Sequence, residues 1–171
     1  VLSFIVFSQD YSFGRALWTS VFHSIAAFNN SGFDILGGLQ NLIPYQKNVL
    51  LNLTTCGLII FGGLGFLVIL DVKRCRGSFR KLSLNSKVVI TTTIALLLSG
   101  TLLLKATEDM SWMGAFFHSV SARTAGFSTY PMGELTNAGL FTLTVLMFIG
   151  ASPGSTGGGI KTTTFFALMQ D

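Results

Sequence analysis

Long apolar runs separated by short polar segments dominate the chain and predict helices that cross a membrane. The run from Val49 to Leu70 contains no charged residue and no proline. At about 1.5 Å per residue it is roughly 33 Å long, which is enough to span the hydrocarbon core of a bilayer. A second run from Val88 to Leu104 lies between Lys87 and Lys105 and spans if it extends to residue 107. The pattern therefore predicts an all-α integral membrane protein.

The composition and the placement of charge agree with this prediction. Half of the residues are hydrophobic and only 11% are charged, whereas about 25% are charged in an average soluble domain. Six of the 11 Lys and Arg residues lie in the segment 71–87, and basic loops of this kind stay on the cytoplasmic side. We therefore predict a cytoplasmic loop that can contact membrane lipid, and we expect no nucleic-acid partner. The six residues are Lys73, Arg74, Arg76, Arg80, Lys81 and Lys87.

One sequence pattern occurs twice. The segments FHSIAAFNNSGFD (22–34) and FFHSVSARTAGFS (116–128) share an aromatic residue, His-Ser, small residues, a polar pair and then Gly-Phe. Each precedes an apolar run, and each includes a semi-apolar stretch too short to cross a bilayer. With segment 71–87 inside the cell, both lie on the outer side. This indicates repeats of outer helix, re-entrant pore loop and inner helix, as in potassium channels.

The repeats predict a domain organisation. Residues 1–70 hold most of one repeat and residues 88–171 most of the next, on either side of the cytoplasmic loop. The apolar stretch 1–7 has no starting methionine and no basic segment before it, so we expect it to be the end of a helix. The predicted bounds are a pore helix and filter loop over 14–34, an inner helix over 48–70, an outer helix over 88–107, a second pore helix and filter loop over 111–128, and a second inner helix over 136–171.

The two Gly-Phe segments have the chemistry of an ion filter. A dehydrated cation needs oxygen ligands, which backbone carbonyls supply without a fixed charge. Gly32 and Gly126 can turn a carbonyl toward a central axis because they have no Cβ, and Phe33 and Phe127 are expected to pack outward. Asp34 lies at the predicted pore mouth, where it either attracts cations or is a solvated loop carboxylate. The predicted filter residues are Asn29, Asn30, Ser31, Gly32, Phe33, Thr124, Ala125, Gly126 and Phe127.

A glycine-rich segment, GASPGSTGGGIKTTT, follows the last long apolar run. Irregular backbone at membrane depth is tolerated only inside protein or beside a water-filled cavity, so we predict an intramembrane gating loop over 150–159. A phosphate-binding loop needs Lys directly after Gly, and Ile160 breaks that spacing. A simple kink at Pro153 is the other alternative. The predicted gating residues are Gly150, Ala151, Ser152, Pro153, Gly154, Ser155, Thr156, Gly157, Gly158, Gly159 and Lys161, the last to repel cations in a closed state.

Several ionisable and small residues have less specific predictions. His23 and His118 are expected to pack and hydrogen-bond rather than relay ions, because no ligand at metal spacing accompanies them. Arg123 is expected to point away from a cation path and to pair with a backbone carbonyl or with one of the carboxylates of Glu108, Asp109 and Glu134. Close helix packing is favoured over a hinge for Gly57, Gly62, Gly63 and Gly65.

Three phrases, HSIAAFNNSGFD, SARTAGFST and ASPGSTGGGIKTTT, resemble the TrkH/KtrB/HKT superfamily of potassium transporters, and the KtrB branch most of all. The resemblance covers nearly the whole chain. It implies four repeats in one polypeptide around a pseudo-fourfold pore, with one filter glycine in each repeat. The segment 150–159 matches a glycine-rich loop that obstructs the pore in the third repeat. The chain therefore resembles parts of the second and third repeats, and we expect a fragment of a longer protein.

The resemblance also implies a function that composition and spacing do not give. It implies potassium uptake across a bacterial plasma membrane by a multi-pass, pore-forming subunit that is not an enzyme. The implied ion in the filter is potassium, with no covalent cofactor and no other metal, and sodium often stimulates transport. The implied partners are a KtrB-type homodimer and a cytoplasmic, nucleotide-binding KtrA-type ring. Two alternatives remain, a two-repeat cation channel that assembles as a dimer and a membrane-anchored nucleotide-binding enzyme.

Overall fold

The computed structural model describes residues 1–38 and 40–169, and their regular structure is helical. No strand occurs in these ranges, where the only extended pairing is a bridge between Ile149 and Ile160. The all-α prediction is confirmed. The helices are α1 (Leu2–Phe7), α2 (Phe13–Phe28), α3 (Val49–Leu64), α4 (Phe66–Arg74), α5 (Leu84–Thr107), α6 (Trp112–Thr124), α7 (Asn137–Phe148) and α8 (Thr162–Leu168), with short 3₁₀ turns at Ile43–Tyr45, Phe79–Lys81 and Met132–Glu134.

Side-chain caps fix where the main helices begin. Asn48, Ser83, Ser111 and Thr136 each accept a hydrogen bond from a backbone amide in the first turn of the helix that follows. Such a cap satisfies one of the amides that have no partner within the helix. Because of the Ser83 cap, α5 begins about one turn before the predicted start at residue 88. The other capped helices begin close to the predicted positions.

Two helical segments have the length and apolar character of a membrane span. Helix α5 meets both conditions alone, and α3 with α4 meets them as one bent span. These two helices meet at 93°, and the break is at Gly65, which has a φ of 82°. The prediction of one continuous inner helix over 48–70 is therefore wrong, because a left-handed glycine ends α3 and redirects the chain.

Helix α6 lies at the centre of the fold and contacts α3, α5 and α7. The buried apolar side chains around it include Phe117, Ile59 and Leu97. A buried polar side chain of this helix is also bonded within the fold, since the Ser119 hydroxyl donates to the Leu97 carbonyl at 2.9 Å. Gly100 on α5 permits this approach, because a Cβ there would lie 2.5 Å from the Ser119 oxygen. The predicted second pore helix is thus enclosed by α5 and α7 of its own predicted repeat and by α3 of the other.

The chain between α7 and α8 folds back on itself as a closed loop. The Gly150 amide donates to the Ile160 carbonyl at 3.0 Å, and the Ile160 amide donates to the Phe148 carbonyl at 3.2 Å. A Cβ at Gly150 would lie only 1.9 Å from the Gly158 oxygen. A kink at Pro153 would continue one helix in a new direction, so this alternative is wrong. The depth of the loop in a membrane stays a prediction, and residues 170–171 of the predicted inner helix lie outside the described residues.

Candidate functional site

The two Gly-Phe segments lie against each other, backbone to backbone. Gly32 and Gly126 have φ values of 70° and 87°, in the left-handed region that favours glycine. A Cβ at Gly32 would lie 2.2 Å from the carbonyl oxygen of Ala125, so no other residue fits there without a shift. A Cβ at Gly126 would meet no atom within 4 Å. One filter glycine is therefore fixed by contact between the segments, while the other borders open space.

A loop asparagine, Asn41, joins the two segments. The Asn41 amide nitrogen donates to the Gly32 carbonyl at 3.3 Å, and the Asn41 side-chain oxygen accepts from the Ser128 amide at 3.2 Å. Asn41 has a φ of 51°. We did not identify this residue from the sequence, because its role depends on a contact with a partner 87 positions away. No motif distinguishes Asn41 from other loop asparagines.

The two phenylalanines of these segments differ in environment. Phe127 is 1% exposed, and its ring lies 5.2 Å from the ring of His23 on α2. Phe33 is 71% exposed. Phe127 is therefore packed within this chain and Phe33 is not, and the outward packing of both rings stays a prediction. The reason is position, since Phe127 faces the other repeat and Phe33 lies at the opposite edge.

Both pore-helix histidines are buried and hydrogen-bonded to threonine. His23 Nε2 lies 2.8 Å from the Thr55 hydroxyl, and His118 Nε2 lies 3.4 Å from the Thr129 hydroxyl. No cluster of three or more His, Cys, Asp or Glu residues with metal-binding geometry occurs in the described part of the chain. This geometry agrees with the predicted packing and hydrogen-bonding role rather than with ion relay.

The glycine-rich loop contacts helices α3 and α4 at the break between them. The amides of Ser152 and Thr156 donate to the Gly63 and Gly62 carbonyls at 3.1 and 3.3 Å, and Phe66 donates to the Gly154 carbonyl at 3.3 Å. The last carbonyls of α3 and the first amide of α4 have no partners within their own helices. The loop supplies those partners, so it caps both helices at once.

Two cations hold this loop from within the protein. Arg123, 8% exposed, donates to the Gly150 carbonyl at 3.0 Å, while Lys161 donates to the Gly157 carbonyl at 2.8 Å. Of the alternatives for Arg123, the backbone carbonyl is the one observed. The suggested partner Glu108 instead accepts from the amide and hydroxyl of Thr136. The Lys161 ammonium group contacts the loop itself. Repulsion of cations by this group stays a prediction.

Asp34 has a local partner at the predicted pore mouth. Its carboxylate accepts a hydrogen bond from the Leu36 amide at 3.0 Å, which forms a turn just after the first filter segment. Side chains of this kind commonly stabilise turns. This contact gives the carboxylate a local structural role. The attraction of cations by Asp34 stays a prediction.

A model of the family described as "TrkH: Cation transport protein" matches residues 1–171. The chain belongs to this family. The relatives named "Potassium/sodium uptake protein NtpJ" from Enterococcus hirae and "Ktr system potassium uptake protein B" from Vibrio alginolyticus are 37% and 41% identical to it. These alignments cover 96% and 87% of this chain, but only 38% and 35% of the relatives. The chain therefore spans little more than a third of their length.

A solved structure shows the same fold. The chain resembles the potassium transporter TrkH from Vibrio parahaemolyticus with a TM-score of 0.72 and 23% identity, over 89% of this chain and 34% of that one. "Ktr system potassium uptake protein B" from Bacillus subtilis is 35% identical over 94% of this chain and 38% of its own length. The predicted resemblance to the superfamily is confirmed. Membership of a cation transport family makes this a membrane protein of a transporter class.

Proposed function

We propose that this chain forms part of the ion pathway of a potassium uptake transporter. The observation that carries the proposal is the contact between Gly32 and the Ala125 carbonyl, which brings two left-handed glycine segments together above a glycine-rich loop. Backbone carbonyls in such segments can replace the water of a cation. The relatives named as potassium uptake proteins support potassium as the ion.

The filter and gate assignments belong to this proposal. The filter is formed by 29–33 and 124–127, and the loop 150–159 with Lys161 controls passage beneath it. The protein lies in a bacterial plasma membrane, with the filter segments outside and the segment 71–87 inside. The basic character of that segment supports this orientation.

The proposed assembly follows the family resemblance. The chain acts within a longer polypeptide of four repeats that forms a homodimer and binds a cytoplasmic, nucleotide-binding regulatory ring. Sodium stimulates transport, and the name of the Enterococcus hirae relative includes both cations. The length of the relatives favours this arrangement over a two-repeat channel. The contact between Lys161 and the Gly157 carbonyl, together with the interrupted motif at Ile160, disfavours the nucleotide-binding enzyme.

Growth of a potassium-uptake-deficient bacterium on low potassium tests the function. The full-length gene product should restore growth, and Gly126→Ser should raise the potassium concentration needed by about tenfold. Gly126 is the better target because its φ of 87° disfavours serine while the site has space for the side chain. Gly133→Ala is the matched control, since Gly133 lies outside the filter with no atom within 4 Å of an added Cβ. Equal growth of the two variants at every potassium concentration would contradict a pathway through this segment.

A further inference from the structure

The side chain of Asn30 connects three separate segments. Asn30 is 7% exposed and has a φ of 54°, a left-handed conformation that asparagine tolerates better than most residues. Its amide nitrogen donates to the Thr156 hydroxyl at 2.8 Å and to the Phe28 carbonyl at 3.3 Å. Its amide oxygen accepts from the Thr124 hydroxyl at 2.8 Å. The first filter segment is thus bonded to the second and to the glycine-rich loop through one buried amide.

Thr156 attaches the loop to the same place by two more bonds. Its hydroxyl donates to the Phe28 carbonyl at 3.0 Å, and its amide donates to the Gly62 carbonyl at 3.3 Å. A Cβ at Gly62 would lie 1.9 Å from the Phe28 oxygen and 2.9 Å from the Thr156 hydroxyl. Because Gly62 has no side chain, helix α3 can lie directly against Phe28 and Thr156.

The second filter segment packs against the loop next to these bonds. A Cβ at Gly157 would lie 2.8 Å from the Thr124 methyl carbon. Thr124 therefore contacts the loop through its methyl group and the first filter segment through its hydroxyl. A loop that only obstructed the pathway would need no hydrogen bond to either filter segment.

We infer that Asn30 and Thr156 are positioning residues that form a latch between the filter and the loop. The inference deepens the proposed function and rests on it. When the loop leaves its position, the Asn30 amide and the Phe28 carbonyl each lose the Thr156 hydroxyl as a partner. They then keep their mutual bond of 3.3 Å but lose the hydroxyl that both share, so displacement of the loop weakens this hydrogen-bond network and rearranges the base of the filter. The same bonds then set both the resistance to loop movement and the geometry of the filter.

Transport by the purified full-length protein in liposomes tests the latch. The readouts are the maximal potassium uptake rate and the discrimination against sodium, measured as the ratio of potassium to sodium uptake from a medium that contains both cations. Thr156→Val keeps the shape of the side chain and removes the hydroxyl. Losing the two hydrogen bonds of this hydroxyl, to the Asn30 amide and the Phe28 carbonyl, should raise the uptake rate and reduce the discrimination against sodium by about threefold to tenfold each. Thr156→Ser, which retains the hydroxyl, should behave like the parent protein.

Two further variants identify the partner and control for the loss of a threonine hydroxyl. Asn30→Gly removes the amide and keeps the left-handed backbone accessible. Because it also removes the bond from the Thr124 hydroxyl, it should change both readouts in the same direction as Thr156→Val and at least as strongly, and adding Thr156→Val to it should change little more. Thr144→Val is the matched control, because that hydroxyl bonds only to the Leu140 carbonyl of its own helix at 2.8 Å. This control should leave rate and discrimination unchanged.

The results separate failure of the latch from failure of the proposed function. A parent protein that carries no potassium would overturn both. A parent protein that carries potassium, with Thr156→Val changing the rate but not the discrimination against sodium, would overturn the latch alone. Additive effects of Asn30→Gly and Thr156→Val would also overturn it, because residues of one hydrogen-bond network do not act independently.

Discussion

The two inner helices of this chain are both broken, but by different means. The helix of the first repeat bends by 93° at a single residue, Gly65. That of the second is interrupted by a loop whose ends pair through Ile149 and Ile160 and which Lys161 holds from inside. The second break supplies its own hydrogen bonds, whereas the first takes them from the loop. The difference shows that a sharp bend needs few residues when another segment satisfies its backbone groups.

The hydrogen bonds at Gly65 show directly that the loop replaces a bond of the helix. In an uninterrupted α-helix the Phe66 amide would donate to the Gly62 carbonyl, four residues earlier. Here Phe66 donates to the Gly154 carbonyl, and Gly62 accepts from Thr156. The loop replaces a bond of the helix with two bonds of its own. Thus the bend of the first inner helix depends on the loop of the second.

The largest expected loss of stability comes from opening the loop between α7 and α8. Gly150→Ala places a Cβ 1.9 Å from the Gly158 carbonyl oxygen, so the two sides of the loop must move apart. We expect the free energy of unfolding to fall by about 2–4 kcal/mol, as for other severe backbone clashes. The melting temperature of the full-length protein in detergent measures it. Gly158→Ala is the control, because a Cβ there meets no atom within 4 Å; an equal loss in both variants would show that closure of the loop does not matter.

A smaller loss of stability is expected at the bend between α3 and α4. Gly65→Ala imposes a left-handed alanine, which costs about 1–2 kcal/mol, and places its Cβ 2.6 Å from the Pro153 carbonyl oxygen. The melting temperature should therefore fall. Gly63→Ala is the matched control, since Gly63 is helical with no atom within 4 Å of an added Cβ. If Gly65→Ala were as stable as the control, the bend would not depend on the left-handed glycine.

The sequence predicted those parts of the fold whose signals are local or repeated. The two Gly-Phe segments matched each other, and the caps at Ser111 and Thr136 lie where their helices were expected to begin. Helices α2 and α6 and the glycine-rich break therefore lie close to the predicted positions, and their roles as pore helices and gate stay predictions. These signals depend on neighbouring residues, so a single sequence contains them.

The remaining features depend on contacts between distant segments. The cluster of glycines before Gly65 indicated helix packing, because small residues commonly have that role in membranes. Gly62 does approach another helix, at the last carbonyl of α2 on Phe28, whereas Gly65 approaches Pro153 in the glycine-rich loop. The latch at Asn30 likewise needs a partner 126 positions away. No local pattern indicates which loop will meet which glycine.

The smallest expected effect concerns the far end of the bent helix. Asp71 on α4 accepts hydrogen bonds from the amide and hydroxyl of Ser83, at 2.9 and 2.8 Å, and so attaches α4 to the start of α5. Hydrogen bonding by the Ser86 and Ser83 hydroxyls and the Ser83 amide lowers the pKa of the Asp71 carboxyl from 3.8 to about 2. A lowered pKa means that the charged form favours the folded state. Its contribution is therefore present above about pH 4 and is lost as the pH falls toward 2.

Asp71→Asn tests this attachment in the same pH range. The variant should lose the part of the melting-temperature change between pH 5 and pH 2 that belongs to this carboxyl, and it should differ little from the parent protein at pH 2. Because Asp71 is exposed to solvent, the shift should be small. A parent and a variant with parallel pH profiles would show that α4 is held without this carboxylate. The contacts of the loop with Gly62, Gly63 and Phe66 would then be sufficient to maintain the bend.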